Sequence, residues 1–210
     1  MPRKTKTPAH PSEAKGGAGS RRDEILVIAT RLFAEKGFEA TTMRDIGDAA
    51  GILPGSLYHH FAAKEDILDE LLSGFVAQLA PSYEAIVAGH SDARAALRAL
   101  IVEALEESLD HSSAMSIISH ERKFFSTSAR FGYVEEALQD VNRIWYGVLQ
   151  DGVRRGVFRA DLNLNLALRL VLSFILSTAL WYRRNSHYAR DDVIKTQIDL
   201  ILNGIETGAG

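Results

Sequence analysis

Apolar residues recur at helical spacing along nearly the whole chain. Ile25, Ile28, Ala29, Leu32 and Phe33 fall on one face of a first helix. Ser20 suits its N-cap, with Asp23 three residues on, and Gly37 ends it. Phe38 then sits where it can plug a small core. Thr41 or Thr42 caps a second helix, with Asp45 in its first turn and Met43, Ile46, Ala49 and Ala50 expected to face inward. Gly51 supplies a turn, and a third short helix follows from Pro54 to His60. Helices this short bury little apolar surface alone and need the first helix as support. The pattern predicts a helix-turn-helix, whose second helix enters the major groove of DNA.

Beyond it a long helix is predicted over 63–88, with Ile67, Leu68, Leu71, Leu72, Phe75 and Leu79 on its core face and Pro81 as a kink or break. Further helices are expected over 93–109, 114–125, 132–155, 162–181 and 191–205. No β-alternating run interrupts them, so the expected fold is all-α, about nine helices, without an internal repeat. The segment 162–182 is apolar around much of its circumference and must be covered on two sides. A second copy would cover one of them. Joined by the last helix, it gives a four-helix homodimer contact through about 162–182 and 191–205, where Ser173, Ser177 and Ala179 permit close approach. A buried central helix in a monomer is the alternative.

Length and charge refine this picture. The 210 residues suit a small head on a larger body. Residues 1–20, rich in Pro, Gly, Ala, Ser and Lys, are expected to be a disordered basic tail. Residues 21–64 form the head, and 65–210 a helical ligand-binding and dimerisation body. Residues 1–64 carry ten Lys and Arg against seven Asp and Glu, net +3; the remainder carries 14 against 20, net −6. A basic front on an acidic body suits a DNA-binding head. Cysteine is absent, which excludes disulfides and thiol chemistry and fits a reducing cytoplasm. No run reaches 18 apolar residues, so no membrane span is expected. The seven histidines show no metal-ligand spacing, and there is no nucleophile elbow or glycine-rich phosphate loop. Neither an enzyme nor a metal or cofactor is expected. A helical adaptor binding protein through the 51–61 surface is the other reading these residues allow.

From Arg22 to about Leu72 the residues resemble the N-terminal pattern of the TetR family of bacterial transcriptional regulators. The match runs through Ile25, Leu26, Ala29, Leu32, Phe33, Gly37, Phe38, Thr41, Thr42, Ile46, Ala49, Ala50 and Gly51. It continues through Gly55, Ser56, Leu57, Tyr58, His60, Phe61, Lys64, Glu65 and Leu68. Gly47 departs from the family's usual alanine, and Leu53 from its usual capping Ser or Thr. The run from Gly51 to Phe61 is similar to that of actinobacterial regulators of fatty-acid and sterol catabolism, among them repressors of late cholesterol ring degradation. The resemblance implies a ligand-responsive repressor that binds a palindromic double-stranded DNA operator as a dimer. It also implies release by a small-molecule effector, such as an acyl-CoA or steroid-fragment CoA thioester. Activation, or a response to drugs or other metabolites, stays open.

Candidate DNA contacts follow. Tyr58 and Lys64 match the family's phosphate-binding residues, and Thr42 and Arg44 are further candidates for that role. Ser56, His59 and the Gly55 backbone are candidates near base edges, Leu53 for a thymine methyl, and His60 for either purpose. In the body, basic residues stand beside aromatic ones: Arg122 by Phe124, Arg143 by Trp145 and Tyr146, Arg169 within the most apolar helix, and Trp181 before Arg183 and Arg184. With Phe75 these suit an anionic, partly lipidic ligand such as a CoA thioester, whose phosphates call for arginine.

Overall fold

The structure is a computed structural model that describes residues 20–185 and 187–206; the basic tail expected over 1–20 lies outside them but for Ser20. Regular structure among the described residues is helical, with one isolated bridge between Phe158 and Glu206. There are ten α-helices: α1 (Arg21–Lys36), α2 (Met43–Ala50), α3 (Pro54–His60), α4 (Lys64–Ala88), α5 (Ala93–Asp110), α6 (Ser112–His120), α7 (Arg122–Thr127), α8 (Gly132–Arg154), α9 (Leu164–Asn185) and α10 (Arg190–Ile205). A 3-10 turn, Ala129–Phe131, precedes α8. The tenth helix arises because the segment expected as one, 114–125, breaks at Glu121. No glycine or proline marks that break, so the sequence carries no signal for it. Pro81 does not end α4. The carbonyl it leaves without a helical donor belongs to Ala77, an exposed residue.

The described residues form two units, one up to Phe75 and one from Val76 onward; α4 contributes to both. In the first unit Ser20 and Asp23 cap α1 reciprocally. Thr42 and Asp45 do the same for α2: Asp45 N–H donates to Thr42 Oγ1 at 3.1 Å and Thr42 N–H to Asp45 Oδ2 at 2.8 Å. The Thr42 hydroxyl and the Lys36 ammonium also donate to Asp45, which holds its carboxyl well below the usual carboxylate range. The core comprises Ile25, Ala29 and Phe33 from α1, Ile46 and Ala50 from α2, Leu57 from α3, and Ile67, Leu68 and Leu72 from α4. Phe38 plugs it, edge-on to Phe33 with ring centroids 5.1 Å apart. Ala49, expected inside, is exposed, and Gly47 is buried in its place. With only eight residues, α2 presents two turns, and its contacts with α1 and α3 decide which residues those turns hide.

The second unit is built around α5, which packs against α6, α8, α9 and α10. Leu97, Leu100, Ile101 and Leu105 supply its buried face. Against them lie Trp145 and Leu149 of α8 and Val171, Ile175 and Ala179 of α9, all buried. Phe158 is fully buried and covers Gly152 so closely that a Cβ there would lie 2.1 Å from the ring. Arg190 clamps the start of α10 to the end of α5 through two bonds to Asp110, at 2.6 and 3.0 Å. That contact depresses the Asp110 carboxyl.

Candidate nucleic-acid interface

The third helix hangs from the head by one side chain. Leu57 is fully buried, which contributes about 2 kcal/mol, and Phe61 anchors the residue after the helix. Every other described side-chain position of α3 faces outward to some degree: Gly55, Ser56, Tyr58 and His59 are exposed and His60 is half-buried. Leu53, just before it, is 79% exposed, and Tyr58 is 55% exposed. Leu53 offers no side-chain cap, and Pro54 removes one amide that would have needed one. Gly51, at φ 65° and ψ 34°, makes the left-handed turn that sets α3 against α2. An apolar anchor at 57 and exposed groups at 55, 56, 58 and 59 give a helix that can lie in a groove.

Thr42 and Arg44 lie on the same unit. The Thr42 hydroxyl is engaged with Asp45, while the Arg44 guanidinium is widely exposed, 3.7 Å from Asp48. Lys64 is engaged within the head. Its ammonium donates to the carbonyls of Phe38 at 2.7 Å, Thr41 at 3.0 Å and Glu39 at 3.1 Å, and sits 4.4 Å from the Phe38 ring centroid. An ammonium has three protons, and all three are used. The start of α4 is likewise filled by the chain's own carboxylate, Asp66 accepting from Ala63 N–H at 3.0 Å. Lys64 therefore braces the loop that precedes α2. Sequence reasoning missed Arg21, which donates to the last carbonyl of α2, Ala50, at 2.6 Å and so ties α1 to the turn. It also missed Arg22, stacked 4.3 Å from the Phe61 ring centroid and paired with Glu70.

The expected ligand residues scatter. Phe75 belongs to the first unit and the others to the second. Trp145 is fully buried, edge-on to Tyr83 with ring centroids 5.9 Å apart, and its indole N–H has no acceptor. Tyr146 and Phe124 are half-buried. Arg143 instead points to solvent and pairs with Asp140, and Arg122 is exposed beside Glu135. Water and a neighbouring carboxylate stabilise both charges better than an apolar interior would. Arg169 and Trp181 are exposed on α9 together with Leu166, Leu170, Ser173, Phe174 and Ser177, whereas Ala179 is buried on the other side. The side chains of Arg183 and Arg184 lie outside the described part. Among the described residues no cluster of histidine and carboxylate could hold a metal ion.

Comparison with known proteins decides the family. The pattern of the bacterial regulatory proteins of the tetR family matches residues 25–71, and that of the tetracyclin repressor-like C-terminal domain matches residues 90–205. The chain belongs to the TetR family. It is 42% identical over 195 residues to the HTH-type transcriptional repressor KstR2 of Rhodococcus jostii (strain RHA1), covering 93% of this chain and 96% of that one. It is 37% identical over 190 residues to KstR2 of Mycobacterium tuberculosis (strain ATCC 25618 / H37Rv), covering 90% and 95%. The solved structure of the ketosteroid transcriptional regulator KstR2 of M. tuberculosis superposes with a TM-score of 0.82 at 36% identity, over 91% of this chain and 98% of that one. Regulators of this family are not enzymes; they bind DNA operators as homodimers and respond to small-molecule effectors. Such a regulator works in the cytoplasm. By length and composition α4 and 164–182 of α9 are apolar enough to cross a bilayer.

Proposed function

We propose that this regulator represses transcription by occupying a palindromic operator, and that a CoA thioester of an acyl chain or steroid ring fragment releases it. The observation that carries the DNA part is α3 itself, held by Leu57 with Ser56, Tyr58 and His59 turned outward. Tyr58 and Arg44 reach phosphates; Ser56, His59, His60 and the Gly55 backbone work near base edges, and Leu53 meets a thymine methyl. Thr42 and Lys64 position these groups. Two heads bridged through α9 and α10 give the symmetry that a palindrome requires. When bound, the protein sits on the nucleoid.

The effector class draws support from the relatives, one of which is described as a ketosteroid transcriptional regulator. The body adds the buried Trp145 indole N–H without an acceptor. A thioester or ring carbonyl would supply one, and an unmet buried donor is a cost that binding removes. Helix α4 belongs to both units and is the covalent route by which an occupied body can bias the heads.

Footprinting on the gene's own upstream region, with and without acyl-CoA and steroid-CoA candidates, tests this reading. A protected palindrome that a steroid-CoA clears is the expected result. Absence of any site preferred over random duplex overturns repression; a site that no thioester disturbs overturns the effector class. Tyr58→Phe should weaken binding to all operator variants alike, whereas Ser56→Ala should change the preference among them. The opposite pattern would exchange their roles.

A further inference from the structure

Helix α3 has seven residues, too few to hold a direction alone. Leu57 is the one fully buried side chain described within it. A single anchor leaves a short rod free to tilt and roll, so its direction must be fixed at its two ends. Both ends are held from the first turn of α1. At the entrance, Arg21 Nη2 donates to the carbonyl of Ala50, the last residue of α2, at 2.6 Å. The residue four places on is Pro54, which has no N–H to offer that carbonyl. The negative end of α2 suits a guanidinium there. At the exit, the Arg22 guanidinium lies 4.3 Å from the centroid of the Phe61 ring. Phe61 is 2% exposed, and there the backbone leaves the helical conformation, at φ −143° and ψ 125°. Carboxylates steer both guanidiniums: Glu24 of α1 pairs with Arg21, and Glu70 of α4 with Arg22. The Ser20 and Asp23 capping box fixes the turn that carries the two arginines.

We infer that Arg21 and Arg22 are positioning residues for DNA reading: they set the tilt of α3 without touching DNA. The inference rests on α3 being the helix that reads DNA. A basic residue in a DNA-binding head is ordinarily a phosphate ligand, and the two roles leave different traces. The Arg22 and Glu70 side chains are 43% and 34% exposed, and so exposed an ion pair adds little to stability. Its effect is geometric. With Glu70 holding Arg22 over the ring, α1, α4 and the exit of α3 keep one arrangement. Base-edge contacts need that arrangement, because hydrogen bonds weaken steeply with angle, whereas phosphate attraction acts on any sequence. Loosening the joint therefore costs discrimination between operator and random duplex more than attraction to DNA in general. The expected cost is on the order of tenfold, within the worth of one base contact.

Fluorescence anisotropy of the full-length protein, on its operator and on random duplex of equal length at several salt concentrations, tests this with Arg21→Met, Arg22→Met and Glu70→Gln. Each should lower the ratio of operator to random affinity about tenfold, with the salt slope on random duplex unchanged. Glu70→Gln separates the two roles, because it removes a carboxylate and leaves every cation in place. Were Arg22 a phosphate ligand, Glu70→Gln would bind both duplexes as tightly as wild type or tighter, and Arg22→Met would lose about 0.9 per head from the salt slope. Either result overturns the inference for Arg22. The losses from Arg22→Met and Glu70→Gln should not add in the double variant, since both open one joint; additive losses overturn it as well. Circular dichroism at the assay temperature shows whether each head is folded, and if Arg22→Met is not, Glu70→Gln carries the test. A wild type without preference for its operator overturns the reading of α3 and this inference with it. A wild-type preference that an arginine variant keeps overturns the role of that arginine alone.

Discussion

Replacing Lys64 with methionine separates two jobs that a basic residue at the start of α4 can do. Methionine keeps an apolar stem against the Phe38 ring and removes the ammonium with its bonds to the carbonyls of Phe38, Glu39 and Thr41. A hydrogen bond to a charged group is worth about 1.5–3 kcal/mol. The three do not add, because the Glu39 contact is exposed and that carbonyl returns to water, while the other two are only part-buried. The expected net loss is about 2–3 kcal/mol. In a unit of this size it lowers the melting temperature by on the order of 10 °C. Operator affinity should fall for every sequence alike, because the loop before α2 loosens. The salt dependence should not change. A lysine that neutralised a phosphate would contribute about 0.9 per head to the slope of log K against log salt. The assay is fluorescence anisotropy on operator DNA at several salt concentrations, alongside thermal melting. A slope reduced by that amount, with the head melting as in wild type, would refute the bracing role.

Gly47→Ala should stabilise the head by about 0.5–1 kcal/mol, because a helical glycine costs that much relative to alanine. The new Cβ would meet only the Ile52 carbonyl oxygen at 3.4 Å and Leu57 Cδ2 at 3.8 Å, ordinary contacts; a lower melting temperature would count against this packing. Gly152→Ala should destabilise the body by about 3 kcal/mol, since its Cβ would lie 2.1 Å from a fully buried ring that cannot move aside. The added Phe158→Leu substitution should recover part of the loss, and a double variant no more stable than Gly152→Ala alone would show that the ring is not the obstacle.

Helix existence was legible except at the Glu121 break, because periodicity and caps are local. The Ser20 and Asp23 box, the Thr42 and Asp45 box and the Gly51 turn each involve residues three or four apart, and the structure has all of them. The apolar circumference of α9 announced a second covering surface for the same reason: a helix that is apolar beyond one stripe has more to bury than one neighbour can hide. What escaped was direction at long range. Lys64 turns inward because carbonyls 23 to 26 residues earlier come within its reach. Arg122 turns outward to Glu135, 13 residues on, whereas Arg143 takes the local carboxylate of Asp140, three residues before it. Gly47 rather than Ala49 is buried because neighbouring helices choose the face of so short an α2. Which helices form follows from order between near neighbours. Where a long charged side chain ends, and which buried donor is left without a mate, depends on groups that only the packed chain brings within bonding distance.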